Sequence, residues 1–272
     1  MSIELKDLLV QFETLWPAAG AEAWDSPGLV TGTAGQIVSR VLLTVDVTSE
    51  IIDEAIDGQF DLVLAHHPFI MRGVSSLSEQ TAKGALLAKA IRAGVAIFAA
   101  HTNADIVEGG VSDTIAKKLG LQDIAALSPA GQPIGHGRVG NLPKPVKLGE
   151  FARFLAQVLP STATGVRVSG DYERVVSRVA LCGGAGDSFI EFAFAVGAHV
   201  YVTSDLRHHP AQDAREAFET QGVGPALIDV SHWASEWLWL DSAAEQLQSK
   251  LTGVQFLVSQ IRTDPWDFVV TQ

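Results

Sequence analysis

Short apolar runs of strand length, each followed by a stretch of helix length, set the narrowest limit on how this chain folds. Strand-like runs fall at 38–45, 62–65 and 95–100, and helical stretches at 49–57, 80–93 and 111–119 separate or follow them. That alternation predicts βαβ units and a mostly parallel sheet. Ahead of it, Leu5, Leu8, Leu9, Phe12 and Leu15 recur at helical spacing, so 4–15 reads as an amphipathic first helix ended by Pro17. The stretch 127–147 is rich in proline and glycine and has little helical period, which reads as a crossing between lobes. After it the pattern restarts, with a helix at 148–159, strands at 166–168, 179–182, 200–203 and 226–230, and helices at 189–196, 211–220 and 233–250. The expected fold is α/β, with two similar α/β lobes at 1–126 and 148–272 whose sheets are mostly parallel or mixed. They are expected to act as one unit. The tripeptide His-His-Pro occurs twice, at 66–68 and 208–210, each time soon after a strand.

Composition narrows the function classes. The chain has 272 residues, 47% hydrophobic and 18% charged, which fits a packed globular protein and excludes a disordered one. No apolar run reaches the length of a membrane span, and the first residues carry no secretory pattern. A single cysteine, Cys182, excludes an intramolecular disulfide, so a cytoplasmic protein is expected. Nineteen basic against thirty-one acidic residues give a net charge of −12 without any Lys/Arg cluster, which argues against a nucleic-acid partner. The same acidic excess repels free nucleotides unless metal ions reverse the local field.

Four segments concentrate the polar chemistry, each just past the end of an expected strand, where open α/β sheets bind ligands. In the first, His66 and His67 follow 62–65, and Pro68 stops the strand from continuing. A lone histidine there is usually structural; two at one strand end point to a metal. The second is His101-Thr102-Asn103-Ala104-Asp105, whose polar residues also suit a turn or cap. In the third, Ser231 is placed to cap a helix whose His232 and Glu236, four apart, share one face. The blander reading is a surface His–Glu pair. The fourth, Thr203-Ser204-Asp205-Leu206-Arg207-His208-His209-Pro210, offers His208 and His209 as further ligands or proton donors. Alternatively His209 caps the next helix and Asp205 pairs with Arg207.

Six of the eight histidines lie in these segments. Imidazoles with carboxylates suit Zn, Fe, Mn or Co rather than Ca or Mg. Five such donors exceed the four of one tetrahedral zinc, and a carboxylate can bridge two ions roughly 3.5–4 Å apart.

Trp24-Asp25-Ser26-Pro27-Gly28-Leu29, the His-His-Pro strand end, His-Thr-Asn-Ala-Asp, Thr-Ser-Asp-Leu-Arg-His-His and Asp-Val-Ser-His-Trp-Ala-Ser-Glu stand in one order along the chain. In that order and spacing the sequence resembles the NGG-one interacting factor three family, many of whose members carry the name GTP cyclohydrolase I type 2 homologue. The resemblance runs from about residue 4 to the end. It implies a two-lobed α/β fold with a dinuclear metal site in the cleft between the lobes, and a ring-shaped homohexamer. By motif position His66, His67, Asp105, His232 and Glu236 match the family's ligands for two divalent ions per chain, with Glu236 as the bridge. His101 lines the same pocket. The family usually has glycine where Ser204 and Ser231 stand, and the short 127–147 stretch leaves no room for the additional domain of some relatives.

Other motifs read more simply. Gly183-Gly184-Ala185-Gly186 follows a strand, but it lacks the lysine of a phosphate loop and reads as a tight turn allowing close packing. Cys182 reads as a small core residue. Trp233, Trp237 and Trp239 read as packing for the last helix or a subunit contact. The expected function is metal-dependent hydrolysis of a small nucleotide-like or phosphate-bearing substrate, with His101, His208 and His209 as candidate catalytic proton carriers. A non-catalytic metal-binding regulatory or interaction scaffold is the alternative.

Overall fold

The computed structural model describes residues 2–271. The chain divides into two compact units, one formed by residues up to Ala104 with Leu240–Thr263, the other by Asp105–Trp239 with residues from Asp264 onward.

The first unit contains β1 (Ile3–Glu4), α1 (Leu5–Leu15), β2 (Gly28–Thr31), β3 (Ile37–Val38), β4 (Arg40–Thr44), α2 (Ser49–Asp57), β5 (Leu62–Ala65), α3 (Ala82–Ala93), β6 (Ala96–Ala99) and most of the short α4 (Thr102–Asp105). Parallel strands β4, β5 and β6 stand side by side, with β2 antiparallel on β6. All four residues of β5 are buried, as expected where helices cover both faces of a parallel sheet. Leu42, Val63 and Ile97 pack with Ile51, Ile52 and Ala55 of α2 and Leu87 and Ala90 of α3. Phe98, next to Ile97 and therefore on the opposite face, meets Phe12 of α1 at 4.7 Å between ring centroids. Thr48 and Thr81 cap α2 and α3 by accepting from the amides of Ile51 and Gly84.

The second unit continues with α5 (Val111–Lys118), β7 (Gln122–Ser128), β8 (His136–Lys147), α6 (Leu148–Val158), β9 (Arg167–Ser169), β10 (Val175–Ala185), α7 (Ile190–Ala195), β11 (Val200–Ser204), α8 (His208–Gln221), β12 (Ala226–Val230) and the start of α9 (His232–Lys250). Its six-stranded sheet runs β7-β8-β10-β11-β12-β9, parallel from β10 to β12 and antiparallel elsewhere. A final strand, β13 (Gln255–Val258), belongs to the first unit and pairs parallel with β4. Each unit therefore holds a β-α-β-α-β run with strands in sequential order, β4-β5-β6 in one and β10-β11-β12 in the other. The mixed α/β class expected from the sequence is present in both.

The stretch 127–147 corrects an expectation. It is the end of β7 and the whole of β8, a strand paired on both sides, and the chain divides elsewhere. Pro143 and Pro145 fit because the pairing with β7 reaches only to Asn141. On the β10 side the register shifts between Val176 and Arg178, opposite the same prolines. Arg138 of β8, 1% exposed, is held by Asp113 and by the carbonyls of Gly135, Gly137, Ile106 and Val107. A buried guanidinium with that many acceptors fixes this segment as part of the core.

Candidate functional site

In the first unit the polar groups gather past the C-terminal ends of three adjacent parallel strands: Asp46 beyond β4, His66 and His67 beyond β5, and His101 beyond β6. The three imidazoles lie with ring centroids 5.2 Å (His66–His67), 5.2 Å (His66–His101) and 5.5 Å (His67–His101) apart. One nitrogen from each lies within 4.8 Å of the others, a spacing that suits a shared cation.

What fixes these rings is their other nitrogen. His66 Nδ1 donates to the Ala100 carbonyl at 2.9 Å, His67 Nδ1 to Asp46 at 2.7 Å and His101 Nδ1 to Asp25 at 2.8 Å. A carbonyl or carboxylate only accepts, so the proton sits on Nδ1 and the lone pair on Nε2, the tautomer and orientation of a metal ligand. Asp25 also accepts from the Thr102 amide and hydroxyl. Burial pushes its carboxyl up, but the bonds from Thr102 and His101 outweigh it and hold Asp25 below the usual range. His101 is driven down to about 4, by burial first and by the neighbouring His66 next, against the pull of Asp25. It is a neutral donor at neutral pH.

In the second unit the residue after β12, Ser231, caps α9 by accepting from the Ala234 amide, as its sequence position indicates. That start places His232 Nε2 2.9 Å from Glu236 Oε1. His232 Nδ1 donates to Asp205 at 2.7 Å, so this ring too is held from behind by an acceptor. Burial opposes charge on His232, yet Glu236 and Asp205 together hold the ring protonated up to about pH 11. The spot strongly favours a positive charge, which a proton or a metal cation can supply. Asp205 sits directly after β11 with φ +54, a left-handed backbone unusual for a non-glycine residue. Glu236 is only 3% exposed. Gly184, φ +68, lies against it: an added Cβ would stand 2.4 Å from Glu236 Oε1 and 3.3 Å from His232 Nε2. The absence of a side chain there leaves room around the carboxylate. Asp105 ends α4, and its charge, with that of Glu236, bears on Cys182. Burial first and these two carboxylates next push the Cys182 thiol up to about 12, which makes it an inert core residue.

The expected residues thus separate by location. His66, His67 and His101 form one donor set; His232 and Glu236 form another, with Asp105 in the same unit. His208 and His209 are exposed at the start of α8, rings 5.3 Å apart, and join no three-donor cluster among the described residues. His208 instead lines a groove with Arg167, Ser169 and Asp229. Arg207 pairs with Asp187, leaving Asp205 to His232. Asp25, Asp46, Asp205 and Gly184 were not singled out by sequence reasoning as site residues. The usable signal for Asp46 and Asp205 was an acid close behind a buried strand. The donor chemistry of each set fits a divalent metal: three imidazoles held from behind in one, an imidazole beside a buried carboxylate in the other. Among the described residues, no helix is long and apolar enough to cross a membrane.

Comparison with known proteins identifies the family and the fold. The chain is 41% identical to a GTP cyclohydrolase 1 type 2 homolog of Streptomyces coelicolor, covering 96% of this chain and 93% of the relative. It is 30% identical to one of Clostridium perfringens, covering 98% and 100%. Among solved structures, a Bacillus cereus protein related to NIF3 superposes with a TM-score of 0.89 at 26% identity, over 98% of this chain and 99% of that one. A Staphylococcus aureus hypothetical protein does so with a TM-score of 0.88 at 26% identity, over the same shares. With residues 3–265 matched by its family description, the chain belongs to the Duf34/NIF3 (NGG1p interacting factor 3) family.

Proposed function

We propose that the chain is a hydrolase that works with two divalent metal ions and acts on a small nucleotide-like or phosphate-bearing substrate, in the manner of a GTP cyclohydrolase. One observation carries this reading: four imidazoles, three in one unit and one in the other, each bond a carboxylate or carbonyl through Nδ1, which leaves Nε2 as the nitrogen a metal would take. In this reading His66, His67, Asp105, His232 and Glu236 would hold two divalent ions of Zn, Fe, Mn or Co. The ions would supply water activation near neutral pH and neutralise charge on the substrate. That also answers the net charge of −12, because two divalent ions bring about four positive charges to one place.

The protein's own groups would divide the remaining tasks. Neutral His101, backed by Asp25, accepts or holds a proton at Nε2. Gly184 leaves Glu236 unobstructed. His208 and His209, exposed on α8, remain candidates for proton transfer or substrate contact. The substrate assignment rests on the relatives' name, the homohexameric assembly on the family resemblance and the cytoplasmic location on the single cysteine.

A second reading, a metal-binding interaction scaffold, draws on the exposed apolar residues Trp266, Phe268, Val269 and Val270. Elemental analysis and GTP turnover on one preparation separate the two. A hydrolase contains about two ions per chain and consumes GTP in a chelator-sensitive way. Full metal content without any turnover of GTP or related nucleotides supports the scaffold, and turnover surviving complete metal removal overturns the hydrolase reading.

A further inference from the structure

Near its end the chain places two consecutive polar residues against the supports of the two donor sets. Thr263 Oγ1 donates to Asp46 Oδ2 at 2.6 Å, while the other oxygen of the same carboxylate accepts from His67 Nδ1 at 2.7 Å. Asp264 Oδ1 accepts from Ser231 Oγ at 2.6 Å, and Ser231 is the residue that caps α9. Thr263 belongs to the first unit and Asp264 to the second, so each bond lies within one unit. Asp264 is buried, 8% exposed, in a segment without helix or strand.

We propose that Thr263 and Asp264 are positioning residues, one for each donor set, acting on the metal ligands through Asp46 and Ser231. The proposal rests on the metal-binding reading of the preceding subsection. The physical argument is one of degrees of freedom. A carboxylate bonded on one oxygen can swing about its χ2 axis; bonded on both, Asp46 has one orientation, and His67 inherits it. In the same way, Ser231 gives its single hydroxyl proton to Asp264, which aims the oxygen lone pairs at the Ala234 amide. That fixes the first turn of α9, and with it the distance between His232 and Glu236. Neither residue touches a donor atom in the contacts described. Their effect is on where the donors stand.

Ser259 supplies a control within the same segment. Its hydroxyl bonds the Glu54 carboxylate of α2, outside both donor sets. Metal-free full-length protein is titrated with cobalt(II), reading affinity by chelator competition and coordination by the visible absorption band. Thr263→Val should weaken cobalt binding about tenfold or more and shift the band. Thr263→Ser, which restores the hydroxyl, should return both to the parental values. Asp264→Ala should weaken binding similarly, and Asp264→Asn, which keeps the acceptor, should not. Ser259→Ala should lower the unfolding midpoint with the cobalt spectrum unchanged. If Asp264→Ala does not fold, Thr263→Val still decides, because it only exchanges a hydroxyl for a methyl. Parental affinity and spectrum in Thr263→Val and Asp264→Ala overturn the positioning role alone. A parental chain that takes up no cobalt overturns the metal reading, and the positioning role falls with it.

Discussion

The two His-His-Pro segments stand after the middle strands of equivalent three-stranded parallel runs, yet they end in different surroundings. After β5 the tripeptide begins at once, and His66 and His67 stay among the groups at the strand ends, with His66 fully buried. After β11 the residues Asp205-Leu206-Arg207 intervene, and His208 and His209 become the exposed first residues of α8. The position that His66 holds in the first unit is taken in the second by Asp205, which orients His232. Distance from the strand end, and not the tripeptide itself, decides whether a histidine joins the cluster there. Sheets of this kind concentrate binding groups within a residue or two of their C-terminal edge.

The sharpest test of that comparison is to remove each pair. His67→Ala should lose at least one ion per chain and reduce any chelator-sensitive turnover to background, whereas His208→Ala and His209→Ala should keep the full metal content. Elemental analysis of the three purified variants checks it. Metal loss in the second pair would break the comparison and make those histidines ligands.

A smaller effect is expected one step back from the ions. Asp46→Asn and Asp205→Asn each weaken the acceptor behind one imidazole, and each should lower metal affinity about 10- to 100-fold. Competition with a chromophoric chelator measures both. If only the Asp46 change matters, Asp205 does not take the role that its place after β11 assigns to it.

The smallest effects are in the pH dependence of the metal-free protein. His101 falls from its ordinary 6.5 to about 4 on folding, so between those values the unfolded chain binds the extra proton and stability declines as pH drops. His232 rises from 6.5 to about 11, so its contribution is complete below 6.5 and is lost as pH climbs toward 11. His101→Asn should therefore flatten the acid side of a stability–pH curve, and His232→Asn the alkaline side. Urea unfolding in chelator between about pH 4 and about pH 11 reads both slopes. Unchanged slopes would show that these rings do not carry the charges described.

Much of this was legible before any coordinates. The apolar runs located α2, β5 and β12 to the residue, and His66, His67, His101 and His232 drew notice because each closely follows such a run. The strands that escaped notice are those whose pattern is broken. β2 starts at Gly28 with φ +121, β8 contains two prolines opposite a register shift, and β13 is short and half-exposed. The residues behind the imidazoles were harder, for a different reason. An aspartate after a strand reads equally as a turn or a helix cap, and only the three-dimensional partner separates Asp46 and Asp205 from that common use. Gly184 looked like one more glycine of a tight turn. Its role depends on Glu236, fifty-two residues later, which no local pattern reveals.

The pairing of β13 with β4 has a consequence for how the protein is made. A strand near the end of the chain completes the sheet of the unit that is synthesised first, after all of β12 and α9 have been added. During translation, β4 therefore emerges with one hydrogen-bonding edge open, and it stays open while every strand of the second unit leaves the ribosome. An edge of buried aliphatic residues, Val41, Leu42 and Leu43, waits through that interval as a template for wrong pairing. The second unit has all its strands contiguous in the chain, so its sheet can be completed before the sheet that was begun earliest.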